Sequence, residues 1–361
     1  MRKKLMATIL STVMAATMLV TGGLTVQAAD APAKDDPAVE LIFTSVSVSG
    51  DSHTEAMYSF AEKVEELSGG SVTCKCYDNG SLFSSENEFD ALLNGDADLA
   101  YISFPTIATQ IPSYGMFASG YLFSSYEHMT SVLNGEIGTE KIRPEIEEKL
   151  NIKPLSSFYL GSRVINTREK EINSYDDMNG LLLRMPNSEA WLFLGEALGA
   201  NPTPLSFSEL YTALQTGAVD AQDNPLPSIE SAKFYEVTKY IAITNHVVDS
   251  IMPCINGDTW NEMTEAQQEA VTEAMEYARD VNDTARLGKE AELIKFFEEQ
   301  GLTVTYPDIN EFKEKVQAKY MENKDMIKDW DMICTMKFRL WQTQRLKRPQ
   351  KKLLNNNLSI L

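Results

Sequence analysis

The sequence predicts an α/β protein of two lobes with a long helix spanning both, and three observations carry that prediction. Strand-like and helix-like patterns alternate over residues 40 to 103, the alternation restarts over 155 to 221, and a helical pattern then runs from 264 to 300 without a proline. A chain of 361 residues with 43% hydrophobic and 23% charged residues is long enough for two domains and ordinary for a globular protein.

The first residues have a different purpose. Arg2, Lys3 and Lys4 precede an apolar run from Leu5 to Val20 and a small-residue end, Val26-Gln27-Ala28-Ala29. This order reads as a secretory signal over residues 1–29, since the apolar run is short for a span of about 20 residues and Gly22-Gly23 interrupts it. No cysteine near its end offers a lipid anchor, so the mature protein is expected to be released soluble, in the periplasm or an equivalent extracytoplasmic space.

After a polar linker from Pro32 to Pro37, residues 40 to 49 alternate enough to form a first strand. Ala56, Met57, Phe60, Val64 and Leu67 recur at helical spacing, and Gly69-Gly70 stops that helix. A strand follows at Val72 to Tyr77, where Cys74 and Cys76 share a face with Val72 and read as small apolar residues packed inward. Ser85-Glu86-Asn87-Glu88 has the spacing of a capping box, opening a helix that Gly95 ends, and Asp98 to Ser103 returns as strand. This β-α-β-α-β order argues for a mostly parallel sheet covered by helices on both faces.

The second unit repeats the logic without sequence repetition. A strand lies within 155 to 167, and the apolar strand Leu181 to Met185 ends in Arg184-Met185-Pro186. Trp191, Leu194 and Leu198 form one stripe, Ser206-Phe207-Ser208-Glu209 has a second capping-box spacing before a helix that Gly217 ends, and Val219 to Ala221 is again strand. From Thr264, whose Gln267 completes a third box, the pattern to Gln300 would make a helix about 55 Å long at about 1.5 Å per residue. That exceeds the width of one small domain, so the helix should bridge two lobes. A last helix from Asp308 carries Phe312, Val316 and Tyr320 on one face.

Charge excludes some partners. The 32 Lys and Arg against 52 Asp and Glu give a net of −20, and residues 30 to 334 hold 22 cations against all 52 acids, a net of −30. Such a body repels a phosphate backbone, so nucleic acid is not an expected partner. All seven cations of residues 335–361 stand without an acid, an abrupt shift near Cys334 that marks an atypical basic tail, read as a non-native or frameshifted end or a disordered appendage rather than as a segment that touches an acidic partner or anionic membrane.

No catalytic motif is present: neither a nucleophile elbow, a zinc-binding H-E-x-x-H, a phosphate loop nor a dinucleotide fingerprint occurs, and His53, His128 and His246 are scattered. No metal or cofactor is expected. What stands out is a pair of arginines at strand ends in an anionic chain, Arg184 and Arg163. In an open α/β sheet ligands bind at the carboxyl ends of strands, where a guanidinium offers a planar fork matched to a carboxylate. The alternative for either is a salt bridge with a local acid.

The stretch from Arg163 to His246 resembles the solute-binding subunit of tripartite ATP-independent periplasmic (TRAP) transporters, the family typified by dicarboxylate-binding receptors. The pattern stands in Leu181-Leu182-Leu183-Arg184-Met185-Pro186, Leu198-Gly199-Ala200-Asn201-Pro202, the run from Phe207 to Gly217, Gln222-Asp223-Asn224-Pro225 and Thr244-Asn245-His246. A looser likeness extends over Leu41 to His128. Asp223 stands where glutamate is usual and Ala221 where glycine is usual.

The resemblance implies a two-lobed periplasmic-binding-protein-like fold, lobe 1 from 38–160 with 249–288 and lobe 2 from 161–248 with 289–334. It implies that Arg184 pairs with a ligand carboxylate and Asn224 hydrogen-bonds the same group. It further implies Arg163 as a second arginine, Phe207 packed on the ligand, and Ser103 and Asn187 lining the pocket. The implied function is capture of a small organic acid and delivery to the membrane permease subunits of a TRAP transporter, without catalysis. Alternatives are a binding protein that serves a sensor and, of a different class, a secreted hydrolase, which would need an activated nucleophile beside a base.

Overall fold

The computed structural model describes residues 36–328 and Trp330; the signal segment 1–29, Cys334 and the tail 335–361 lie outside them. Its first half is built on β1 (Val39–Thr44), β2 (Val72–Tyr77) and β3 (Leu99–Ile102), all parallel, with β1 in the middle. The strand expected over 40–49 ends at Thr44 because pairing with β2 stops at Thr44↔Tyr77. Helix α1 (Ser52–Leu67) connects β1 to β2, and α2 (Glu88–Asn94) connects β2 to β3. Short helices α3 (Phe104–Ile107), α4 (Tyr126–Leu133) and α5 (Arg143–Leu150) follow β3.

Alternation in β3 shows the layering. Leu99 and Tyr101 enter a core with Leu41, Phe43, Met57 and Phe60, whereas Ala100 and Ile102 enter another with Phe104, Met129 and Cys254. All four β3 residues are buried because helices cover both faces of the sheet. Cys74 and Cys76 are half-buried against the first of these cores rather than fully enclosed, since β2 is an edge strand.

The second half contains β4 (Ile152–Pro154), β5 (Phe158–Thr167), β6 (Leu182–Met185), α6 (Glu189–Ala197), β7 (Asn201–Pro204), α7 (Leu210–Thr216), β8 (Ala221–Pro225) and α8 (Leu226–Ser231). After them come β9 (Tyr240–Asn256), α9 (Gly257–Glu262), α10 (Glu265–Glu299), β10 (Thr303–Thr305), α11 (Ile309–Glu322) and α12 (Lys324–Ile327). Strand order is β2-β1-β3-β9-β5-β8-β6-β7. The expectation of a mostly parallel sheet is corrected here: β9 runs antiparallel to β3, β4 and β5, and β5 runs antiparallel to β8. The sheet is mixed because β9, 17 residues long, serves both halves, pairing β3 with its last residues and β5 along most of its length.

The β5–β9 ladder is broken twice. Its register shifts between Tyr159 and Gly161, and again between Arg163 and Ile165, where Ile243 to His246 bulge out of β9. Bulges leave backbone groups without ladder partners, and side chains of α10 satisfy them. Asn282 Nδ2 donates to the Tyr159 carbonyl at 2.9 Å, and the Tyr159 N–H donates to Asp283 Oδ1 at 2.8 Å. Arg286 Nη1 donates to the Leu160 carbonyl at 2.7 Å and the Ser162 N–H to Glu290 Oε1 at 3.2 Å.

These polar residues occupy the middle of α10, a helix of 35 residues closed at its start by the expected Thr264–Gln267 capping box. Val271, Ala274, Met275 and Ala278 before them pack on the β1–β3 half, and Leu293 and Phe297 after them pack with Val164 and Ile241 of the other half. One helix thus spans both lobes of the α/β fold. The other two capping boxes do not form. Asn87 and Glu209 occupy the cap positions without a side-chain capping bond, while Ser85 and Ser206 bond the side chains of Glu86 and Glu209.

Candidate functional site

The carboxyl ends of β1, β3, β6, β7 and β8 converge on one cavity of about 310 Å³. All six residues named from the sequence, Arg184, Arg163, Asn224, Phe207, Ser103 and Asn187, line it. The chain reverses or starts a helix just beyond each of these strand ends, so side chains there are not used up by packing within a layer.

Arg184 reaches the cavity by the alternation of β6. Leu183 and Met185 enter a core with Ile165, Trp191 and Leu194, so the side chain between them leaves it on the opposite face. Its Nε donates to the Leu205 carbonyl at 2.8 Å. Nη1 and Nη2 have no hydrogen-bond partner among the described residues, and no carboxylate pairs with them, although the residue is only 3% exposed. Burial pushes its pKa down to about 10, an effect the Asp223 carboxylate opposes and the Arg163 charge deepens. The group stays protonated at neutral pH and is a buried cation with two donor nitrogens uncommitted.

Arg163 is different. Its Nε donates to Asp249 Oδ2 at 2.6 Å, and its Nη1 donates to the Asp223 carbonyl at 2.8 Å and bonds Asp223 Oδ2 at 3.2 Å. Its guanidinium carbon lies 4.3 Å from the centre of the Trp191 ring. Burial opposes its charge, but Asp223 and Asp249 outweigh that and raise its pKa. The salt-bridge alternative therefore holds for Arg163 and not for Arg184. The bulged segment of β9 extends the chain of contacts: Thr244 Oγ1 bonds His246 Nδ1 at 2.8 Å, and His246 Nε2 lies 3.3 Å from Asp223 Oδ2.

The remaining four have structural duties beside their place on the cavity wall. Asn224 accepts from Arg163 Nη1 at 3.4 Å and donates to Gln222 Oε1 at 2.6 Å. Phe207 is half-buried and meets Phe234 edge to face at 5.6 Å. Ser103 caps α3, accepting from the Thr106 N–H at 3.3 Å. Asn187 is exposed, two residues beyond the end of β6.

Sequence reasoning missed several lining residues. Asp51, the N-cap of α1, binds Arg286 Nη2 through Oδ1 at 2.5 Å and accepts from Ser231 Oγ through Oδ2 at 2.9 Å. The same Arg286 nitrogen lies 2.6 Å from His53 Nδ1, which must accept, because a guanidinium has no lone pair to offer. Burial opposes the Asp51 charge, yet Arg286 and His53 hold its carboxyl well below the usual range. Burial and the Arg286 charge push His53 down to about 4. Glu88, read as a cap-box residue, instead lines the cavity, and Trp191, read as a core residue, reaches it too. Glu86, Asp90 and Asp249 also line the wall. An arginine inside a long helix and an acid in an acidic chain carry no local pattern that would single them out.

Among the described residues no group of three or more His, Cys, Asp or Glu side chains could hold a metal ion, and no helix is long and apolar enough to cross a membrane.

Comparison with known proteins agrees with this architecture. Residues 43–325 match the model of the bacterial extracellular solute-binding protein family 7. The sialic acid-binding periplasmic protein SiaP of Vibrio cholerae is 36% identical over 262 residues, 73% of this chain and 81% of that protein. A TRAP periplasmic solute-binding protein of Roseobacter denitrificans, solved with bound 3-deoxy-D-manno-oct-2-ulosonic acid, is 36% identical; the match covers 84% of this chain and 99% of that one, with a TM-score of 0.79. A second from the same organism, solved with bound L-galactonate, is 30% identical over 80% of this chain and 95% of that one, with a TM-score of 0.75. With most of its length matched and its cavity built at the strand ends, the chain belongs to the bacterial extracellular solute-binding protein family 7, the family of TRAP solute-binding receptors.

Proposed function

We propose that the protein is an extracytoplasmic receptor that captures a small organic acid, with Arg184 as its carboxylate anchor, and delivers it to the membrane subunits of a TRAP-type secondary transporter. The observation that carries the reading is the pair of uncommitted Arg184 nitrogens on the wall of a cavity. A carboxylate accepting from both makes a charge-assisted bidentate pair, and in a desolvated site this restores the interactions that burial has taken from the guanidinium. Asn224 supplies a further amide beside it, and Arg163, already neutralised, positions Asn224 and stacks on Trp191. The named ligands of the relatives, a sialic acid, an octulosonic acid and L-galactonate, all present a carboxylate.

In this reading residues 38–160 with 249–288, and 161–248 with 289–334, are the two lobes, and the broken β5–β9 ladder with the middle of α10 is the hinge on which they close. Residues 1–29 direct export. The test is thermal stabilisation by a panel of organic acids containing sialate, octulosonate, galactonate and succinate. Arg184→Ala should keep a folded protein but lose the shift given by any acid the parent binds, since removing one partner of a buried charge pair costs about 2–5 kcal/mol. An undiminished shift in the variant rejects Arg184 as the anchor.

A further inference from the structure

On the wall of the cavity, the carboxyl group of Glu88 bonds no other described residue. Glu88 is 5% exposed, Oε1 is fully enclosed, and neither carboxyl oxygen has a hydrogen-bond partner among the described residues. Buried acids are ordinarily paired or hydrogen-bonded, because an unsatisfied group forfeits its hydration without return. Glu88 begins α2, whose seven residues hang from the carboxyl side of β2, and Glu86 and Asp90 on either side of it also line the cavity. The lining contains three cations, and two are committed: Arg163 to Asp223 and Asp249, and Arg286 to Asp51. Among the described lining residues only Arg184 is left for an anion.

We propose that Glu88 is a specificity-determining residue whose carboxyl group receives a hydroxyl of the ligand, so that the receptor selects hydroxylated monocarboxylates over dicarboxylates. The inference rests on the reading of Arg184 as the anchor of the first carboxylate. Burial alone raises the Glu88 pKa well above its ordinary value, which favours the protonated acid, a group with one donor and one acceptor. A hydroxyl also donates and accepts, so it can bond either form of this carboxyl group without bringing charge. A second carboxylate would instead meet Glu86 and Asp90 with no uncommitted cation to hold it, a repulsive element of the kind that separates similar ligands.

The full-length protein is titrated calorimetrically at neutral pH with D-gluconate, D-galactonate and D-glucuronate, and with succinate and glutarate. The expected result is that at least one hydroxy acid binds at least tenfold more tightly than either dicarboxylate. Glu88→Leu should weaken that acid about tenfold, the effect of one lost hydrogen bond to a buried group, and Glu88→Gln, which keeps a donor and an acceptor, should weaken it less. The double variant Glu86→Gln, Asp90→Asn changes two exposed side chains and should narrow the gap between succinate and the best hydroxy acid severalfold. The proposal is overturned if a dicarboxylate binds as tightly as the best hydroxy acid, if no hydroxy acid binds, if Leu at 88 binds like the parent, or if the double variant leaves the gap unchanged. Arg184→Ala in the same series separates the two readings. Binding that survives Arg184→Ala while Glu88→Leu weakens it defeats the anchor alone, and binding lost with Arg184→Ala but unaffected at 88 defeats the specificity residue alone.

Discussion

At the scale of single residues, the two arginines show how one side chain becomes a binding group and another a structural one. Both are buried at the ends or bends of strands, but Arg163 has two carboxylates within reach and Arg184 has none. The strand-end expectation holds for Arg184, legible because a cation interrupting an apolar run is conspicuous, but Arg163 is the sixth of the ten residues of β5, beside its second register shift, which leaves no signal in the sequence. Which one stays uncommitted was not legible, because Asp249 lies 86 residues from Arg163 in the chain. Arg286 is a third case, and it bears on stability. Arg286→Met leaves Asp51 buried without its partner and should cost about 3–5 kcal/mol in urea unfolding at neutral pH. The folded-state pKa of His53, about 4, lies below its ordinary 6.5. Between those values the unfolded chain takes up a proton that the folded one refuses, so the parent loses stability as pH falls through that window. Without the Arg286 charge His53 accepts a proton beside Asp51 more readily, so the gap between parent and variant should narrow on acidification from about pH 6.5 to 4.

At the scale of elements, α10 was legible from end to end because its capping box and lack of proline agree. Strand β9 was not. Nearly all its residues are buried, so it shows no alternation, and its two ends belong to different halves of the sheet. The two false capping boxes have one cause: a Ser-x-x-Glu spacing fixes distance in sequence but not the first turn of a helix, and both helices begin later than the serine requires. Bulges leave no such spacing to read. Gly161, beside the first register shift, has φ +122°, and a Cβ there would lie 2.5 Å from Pro225 Cβ. Gly161→Ala should therefore destabilise the fold by about 2–3 kcal/mol in chemical denaturation and weaken organic-acid binding, since Leu160 in this bulge and Arg163 two residues beyond Gly161 line the cavity. Unchanged stability would mean that the ladder tolerates displacement at this point.

At the scale of the whole molecule, composition gave the class of protein and a constraint on its kinetics. With a net charge of −30 over residues 30 to 334, the body repels the anion it is proposed to bind. Local donors must supply the affinity, and the long-range field can only slow the encounter. Stopped-flow association of an organic acid should therefore accelerate as ionic strength rises from 10 mM to about 150 mM, where the screening length falls to about 8 Å; a rate that falls with salt would show a steering patch that the net charge conceals. The two-lobed plan was legible from the restarted α/β pattern and the length of one helix, whereas the mixed sheet depended on pairings between residues far apart in sequence. The most direct measurement of the central claim is a crystal structure with an organic acid bound. The account predicts the ligand carboxylate within hydrogen-bonding distance of both Nη1 and Nη2 of Arg184. A carboxylate held elsewhere, with the Arg184 nitrogens still unpartnered, would contradict it.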